Sequence, residues 1–151
     1  MNRIIALTLI LFFSLVACTH TSYTGHVQIQ RTEEVIHSIP DINVGDQWTI
    51  KWIHSVEKTP WEETYEVSED GSLRLVETVF YSFGAGVPHE KGSMTIEDGK
   101  VVTREIDQEI EAFRWIHSHN AEFAIYLNDE ILFQTEDLPH HEPLELIIEK
   151  R

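Results

Sequence analysis

The feature of this chain that most constrains its fold is an alternation of side-chain character over residues 47–57. Polar residues stand at every second position of this segment, and only Ile53 breaks the pattern. A period of two puts alternate side chains on opposite faces of a β-strand, so the segment is predicted to be a strand with one buried face. The large residues on that face are Trp48, Ile50, Trp52, His54 and Val56.

Turn sequences separate further strand-like segments along the rest of the chain. Residues 69–72, 97–100 and 128–129 are rich in Gly, Asp and Asn, which favour hairpin turns. Residues 105–112 are ambiguous, because they also fit a short acidic helix. The spacing of eight to ten short strands predicts one all-β domain, a single antiparallel β-sandwich or partly open β-barrel. The predicted strands outside 47–57 are 27–30, 65–67, 73–83, 94–96, 101–102, 122–127, 131–134 and 144–148.

The N-terminus has the pattern of an export signal. Arg3 precedes an apolar run over residues 4–17, whose helix would reach roughly 21 Å, short of the roughly 30 Å of a bilayer core. The run ends in Leu15-Val16-Ala17-Cys18, which resembles the lipobox of bacterial lipoproteins. The resemblance implies lipidation of Cys18, cleavage after Ala17 and an extracytoplasmic protein that is lipid-anchored to the bacterial membrane. The alternative is an ordinary signal peptide that is cut elsewhere.

These features divide the chain into three parts. Residues 1–17 are expected to be the signal peptide, residues 18–25 a flexible polar tether, and residues 26–151 the all-β domain. Cys18 is the only cysteine, which excludes a disulfide framework and a cysteine-rich zinc module.

The charge of the chain excludes one class of partner. There are 26 acidic and 11 basic side chains, a formal net charge of −15. A protein that tracks nucleic-acid phosphates needs a clustered basic surface, so no nucleic acid is expected as a partner. The same charge disfavours electrostatic docking on anionic lipid, so membrane attachment is expected through the lipid on Cys18.

Several short motifs between Gly45 and Pro88 together resemble the bacterial domain-of-unknown-function family number 1850 (DUF1850). They are Gly45-Asp46 with Trp48, His54-Ser55-Val56, Glu63, and Gly84-Ala85-Gly86 with Pro88. Members of that family are biochemically uncharacterised and are often encoded beside, or fused to, tripartite transporters of the TRAP/TAXI type, which import small organic acids. The resemblance therefore implies an accessory role in such an uptake system. It implies a transporter membrane subunit or a substrate-binding protein as the partner.

The same segment supplies the candidate ligand site. His54 on the apolar face is either a core histidine or a ligand-binding group oriented by Glu63. The loop at 84–88 is either a turn that closes a sheet corner or a nest of backbone amides that holds an anion. The candidate ligand-binding residues are His54, Ser55, Glu57, Glu63, Gly84, Ala85, Gly86 and Pro88.

The alternative function is a metal-binding extracytoplasmic lipoprotein. His117 and His119 are two apart on a predicted strand, which would put both imidazoles on one face, where they can bind a divalent metal ion. The competing interpretation is partial burial beside Phe113 and Trp115. In the metal-binding interpretation, the remaining ligands would be His54, Glu57 and Glu63. Otherwise no cofactor is expected.

An enzyme is disfavoured. Ser55 directly follows His54, so the two side chains would point to opposite faces of the strand and could not act as nucleophile and base. The sequence has no nucleophile-elbow motif.

A five-residue sequence occurs twice in the chain with one substitution. Residues 51–55, Lys-Trp-Ile-His-Ser, return at 114–118 as Arg-Trp-Ile-His-Ser. One interpretation is a duplicated half-domain, or two strands that present imidazoles to one site. The other is coincidence between two aromatic-rich strands, which we favour because no position outside the pentapeptide supports a repeat.

Overall fold

The computed structural model of the chain describes residues 22–81 and 92–151. These residues form eleven β-strands and two 3-10 turns, η1 (His119–Ala121) and η2 (Thr135–Asp137). The strands are β1 (Tyr23–Ile29), β2 (Glu34–Ile42), β3 (Gln47–Ile53), β4 (Pro60–Val67), β5 (Leu73–Phe80), β6 (Ser93–Glu97), β7 (Lys100–Ile110), β8 (Ala112–Ile116), β9 (Ala124–Leu127), β10 (Glu130–Phe133) and β11 (Pro143–Lys150).

The strands form two antiparallel sheets. One has four strands in the order β2-β1-β11-β8, and the other has seven in the order β10-β9-β3-β4-β5-β7-β6. Neither sheet of the described residues closes into a barrel. The all-β prediction is confirmed, with the strands in two antiparallel sheets that share one apolar core.

The core lies where the inner faces of the two sheets meet. Trp48 and Ile50 of β3 are fully buried, as are Leu144 and Leu146 of β11 in the other sheet. They belong to one apolar cluster that takes side chains from both sheets. Burial of one such side chain stabilises the fold by about 1.5–3 kcal/mol. The face of β3 that carries the large apolar side chains is therefore the face that turns inward.

The three predicted hairpins are confirmed. Residues 69–72 join β4 to β5, residues 97–100 join β6 to β7, and residues 128–129 join β9 to β10. Gly71 and Gly99 take φ values of +90° and +78°, which glycine adopts without a steric penalty. In the third hairpin Asn128 and Asp129 take φ values of +48° and +68°, the pair of left-handed conformations of a type I′ turn.

Strand β2 was not predicted from the sequence. Its side chains are mostly exposed on both faces and it contains Pro40, so it shows no alternation of apolar and polar residues. It is an edge strand that pairs only with β1. Ile36, Ile39 and Ile42 pack on the core, but their spacing of three and the register shifts against β1 hide the period of two that would mark a strand in the sequence.

The short acidic helix that residues 105–112 also allowed does not form. Strand β7 continues to Ile110, and its register against β5 shifts between Leu75 and Glu77. Glu105 and Asp107 have positive φ values of 59° and 49°. A bulged strand with acidic side chains turned to solvent explains why the segment lacks a clean period of two.

Two predicted boundaries also move. Strand β1 begins at Tyr23, within residues 18–25 that were expected to be a tether, and Tyr23 is buried in the core. Strand β3 ends at Ile53, so the residues after it belong to a turn and not to the predicted strand over 47–57.

Candidate ligand-binding cleft

A cleft of about 490 Å³ opens where strand β3 ends. It lies between the turn that follows β3 and the segment formed by the end of β8 and by η1. Apolar side chains from both segments line it, namely Trp52, Ile53, Ile116, Ala121 and Phe123. The polar residues that line it are His54, Ser55, Lys58, Ser118 and Asn120.

The first wall is shaped by the turn at residues 54–59. The backbone N–H of His54 donates to the carbonyl of Thr59 at 2.9 Å, and the N–H of Lys58 donates to the carbonyl of His54 at 2.9 Å. The N–H of Glu57 donates to Nδ1 of His54 at 3.2 Å. The imidazole therefore caps its own turn, and in the neutral ring this bond assigns the proton to Nε2.

Stacked aromatic rings support this wall from behind. Trp52 lies between Trp61 and Phe123, with ring centroids 6.0 and 5.9 Å away. His54 stacks on Trp61 at 5.5 Å, and Trp61 stacks on Phe80 at 4.8 Å. Stacked rings in contact on several sides are held in one orientation, so the aromatic face of the cleft is preformed.

Two histidines hold the opposite wall. His117 is fully buried, and its Nε2 lies 2.9 Å from the carbonyl of Thr135. Nε2 of His119 lies 3.0 Å from the carbonyl of Leu138, and the N–H of His119 donates to Nδ1 of His140 at 3.0 Å. These bonds tie η1 to the segment before β11, which places Ser118 at the edge of the cleft.

The electrostatic character of the cleft differs from that of the chain as a whole. Lys58 is the one cationic residue among the described residues that line it, and these residues include no Asp or Glu. The full chain carries 26 acidic side chains. A cleft without carboxylates on such a chain is locally suited to an anion.

Glu63 lies outside the cleft, behind Trp61. Its Oε1 accepts a hydrogen bond of 3.1 Å from Nε1 of Trp61, and its Oε2 accepts one of 2.6 Å from the hydroxyl of Tyr65. Desolvation raises the pKa of Glu63, and the two hydrogen bonds only partly oppose this effect. Of the two alternatives for His54, orientation by Glu63 is not observed, because the oxygens of Glu63 bond to Trp61 and Tyr65, and Nδ1 of His54 accepts from the backbone N–H of Glu57.

Comparison with known protein families gives a match to one of them. The model of the family described as "Domain of unknown function (DUF1850)" matches residues 48–132. The chain belongs to the DUF1850 family. Every described residue that lines the cleft falls within the matched region. No curated protein and no solved structure has a significant match to this chain.

The strand geometry expected for a metal pair is not found in the DUF1850 domain. Strand β8 ends at Ile116, and His119 begins η1, so His117 and His119 do not share a strand face. Nδ1 of His117 accepts a bond from the indole of Trp115, and its Nε2 is also bonded, so neither ring nitrogen is free for a metal. Within residues 22–81 and 92–151 no group of three or more His, Cys, Asp or Glu side chains is placed to hold a metal ion.

The structure brings together some of the predicted site residues of the DUF1850 domain. His54 and Ser55 line the cleft, and Glu57 belongs to the same turn. The ring of Trp61 separates Glu63 from that wall. The remaining predicted residues, Cys18, Gly84, Ala85, Gly86 and Pro88, lie outside the described residues.

Sequence reasoning missed Lys58, Asn120 and Phe123, which also line the cleft. Both copies of the recurrence, residues 51–55 and 114–118, contribute to the cleft, but none of the three missed residues lies within either copy, so the recurrence did not identify them. The copies are not equivalent, since His54 lines the cleft whereas His117 is buried.

The described part of the DUF1850 chain has no helix of the length and hydropathy that a membrane span requires.

Proposed function

We propose that this DUF1850 protein is an extracytoplasmic, lipid-anchored module that binds a small organic acid and serves a tripartite uptake system of the TRAP/TAXI type. The observation that carries the binding proposal is the cleft beside β3, which combines an aromatic wall with Lys58 and has no carboxylate among its described lining residues. Its volume of about 490 Å³ is within the range of pockets that enclose small molecules.

The chemistry of the two walls suggests how such a ligand would bind. The faces of Trp52 and Phe123 offer an apolar surface for the body of the ligand. The ammonium of Lys58 would pair with its carboxylate, and Ser55, Ser118 and Asn120 supply hydrogen-bonding groups at the edge. Lys58 is exposed, so its pairing would contribute only about 0.2–1 kcal/mol. Removal of its charge should therefore weaken binding a few-fold.

The lipid anchor and the uptake system rest on sequence features. The apolar run that ends at Cys18 supports lipidation, and family membership supports the association with transporters. Cys18→Ala is expected to release the protein from membranes or to block its processing. If the variant remains membrane-bound and is processed as the parent chain is, the anchor proposal is wrong. A pull-down of the transporter's membrane subunit and substrate-binding protein by the anchored chain tests the partner.

Benzoate and its neutral isostere benzamide test the binding proposal on the full chain in detergent. Quenching of tryptophan fluorescence should show tighter binding of benzoate, because only benzoate carries the carboxylate. Lys58→Met should remove this preference. Lys51→Met is the matched control, because Lys51 pairs with Glu62 at 2.9 Å and does not line the cleft. Equal affinity for both probes in the parent chain would contradict the proposal.

A further inference from the structure

Three polar side chains lie in a row across the seven-stranded sheet. Glu63 of β4 is the register partner of Thr78 of β5, and Thr78 is the register partner of Thr103 of β7. Adjacent strands lie about 4.8 Å apart, so the row crosses three neighbouring strands over a short distance. We call these three residues the polar row.

The polar row belongs to the inner face of the sheet. Trp61 and Tyr65 stand two residues to either side of Glu63 and are buried. Phe80 and Val101 stand two residues from Thr78 and Thr103 and pack with Trp61 in one apolar cluster. Since residues two apart in a strand share a face, the three polar side chains point the same way as these apolar ones.

The two threonine hydroxyls of the polar row have no partner among the described residues. Thr78 is 1% exposed and Thr103 is 2% exposed, and Oγ1 of each is buried without a hydrogen bond. A hydroxyl can donate one bond and accept two, and leaving it dry inside a protein is unfavourable. Native structures satisfy such groups with protein atoms or with ordered water.

Glu63 leaves bonding capacity toward its neighbours. Its oxygens accept bonds from Trp61 and Tyr65, and each carboxylate oxygen can accept a second. Among the described residues no Lys or Arg is paired with Glu63. The row therefore offers acceptors at Glu63 and unused donors at Thr78 and Thr103, which is a set that a water molecule can bridge.

We propose that the polar row of Glu63, Thr78 and Thr103 is a binding site for water inside the sandwich, with ordered water bridging the carboxyl group to the two hydroxyls. Water fits because it donates to the carboxyl oxygens and accepts from the hydroxyls at the same time. Buried waters in proteins make about three such bonds. The site is separate from the cleft, since Trp61 lies between Glu63 and His54.

The test compares variants that keep the shape of threonine with variants that keep its hydroxyl. Thr78→Val and Thr103→Val remove the hydroxyl, and Thr78→Ser and Thr103→Ser retain it. Water-17O magnetic relaxation dispersion on the full chain counts long-lived internal waters. The valine variants should lose at least one such water relative to the parent chain, and the serine variants should keep it.

Three results would overturn the proposal. One is an unchanged count of long-lived waters in both valine variants. A higher midpoint of urea unfolding in those variants would add that the hydroxyls are dry. Another is a thermal midpoint of the parent chain that is higher in sodium chloride than in choline chloride at equal ionic strength. If Glu63→Gln abolishes this difference, a cation and not water occupies the polar row. If the valine variants do not fold, a high-resolution crystal structure of the parent chain replaces them. The third overturning result is the absence of solvent density at the polar row in that structure.

Discussion

The indole nitrogen of Trp115 donates a hydrogen bond of 3.2 Å to Nδ1 of His117. The other ring nitrogen of His117 meets the carbonyl of Thr135 at 2.9 Å. A fully buried imidazole is tolerated here because both of its nitrogens are satisfied. For His117, burial beside Trp115 is therefore the interpretation observed, and the two side chains bind each other.

His117→Phe should destabilise the fold, because it leaves the indole N–H of Trp115 and the carbonyl of Thr135 without partners. We expect a loss of about 1–3 kcal/mol for each buried group left unpaired. Urea unfolding measures the change. His37→Phe is the control, because the His37 ring packs on Phe133, with ring centroids 4.7 Å apart, and makes no side-chain hydrogen bond to the described residues, so a phenyl ring can replace it. Equal losses in the two variants would contradict the role assigned to His117.

Gly25→Ala should also destabilise the fold. A Cβ at residue 25 would lie 3.0 Å from Cζ2 and 3.2 Å from Cη2 of Trp48, so this fully buried ring would have to shift by a few tenths of an ångström. Overpacking of this kind costs about 1–3 kcal/mol. Trp48→Phe removes both ring atoms, so Gly25→Ala should be less harmful in the Trp48→Phe background. Thermal unfolding of the parent chain, the two single variants and the double variant gives the coupling energy between the two positions. If the stability losses of the single variants add up in the double variant, the contact is not the cause.

Glu63→Gln should stabilise the protein increasingly as pH rises. Desolvation raises the pKa of Glu63 above its ordinary value of 4.5, so the folded chain binds more protons than the unfolded chain in the window above pH 4.5. Wild-type stability is therefore lost as pH rises through that window. Glutamine stays neutral and avoids this loss.

Urea unfolding of the Glu63→Gln variant and the parent chain at pH 4.5 and pH 8 measures the difference. Glu62→Gln is the control, because Glu62 pairs with Lys51 on the same strand pair and its carboxylate should be favourable at pH 8. A stability difference between Glu63→Gln and the parent chain that does not grow with pH would show that burial of the charged carboxyl has no cost.

The turn between β9 and β10 permits a paired test of two neighbouring positions. Asp129 holds a positive φ of 68°, which glycine adopts more readily, so Asp129→Gly should stabilise the fold by about 0.5–1 kcal/mol. Asn128→Gly should destabilise it, because Oδ1 of Asn128 accepts from the N–H of Gln47 at 2.9 Å and Nδ2 donates to Asp46 at 2.9 Å. Thermal unfolding distinguishes the two signs, and a shift of the same sign in both would contradict this account.

Local patterns predicted much of the fold because they reflect local causes. The alternation along residues 47–53 and the glycines at 71 and 99 act through neighbours in the chain, and strand β3 and both hairpins appear where they were expected. Strand β2 has no such signal, since the register shifts against β1 hide its period of two. The end of β3 at Ile53 was also invisible, because it depends on a backbone bond between His54 and Thr59.

The candidate cleft could be predicted only in part. Motifs identify His54 and Ser55, but the recurrence at 114–118 gives no reason by itself to join the second copy to the first. Lys58, Asn120 and Phe123 have no distinctive local pattern, because they become neighbours only when the turn after β3 meets η1. The same limit affected Glu63, whose partners Trp61 and Tyr65 are close in sequence but not distinctive there.

The sequence by itself determined the class of fold, the positions of its hairpins and the inward face of β3, because side-chain alternation and turn conformation are properties of neighbouring residues. The tertiary structure alone decided where the cleft lies and that His117 is bonded on both nitrogens. It also decided that Glu63 faces Thr78 across strands. These relationships join residues on different strands, and their energies depend on burial and distance, which exist only after the two sheets have packed.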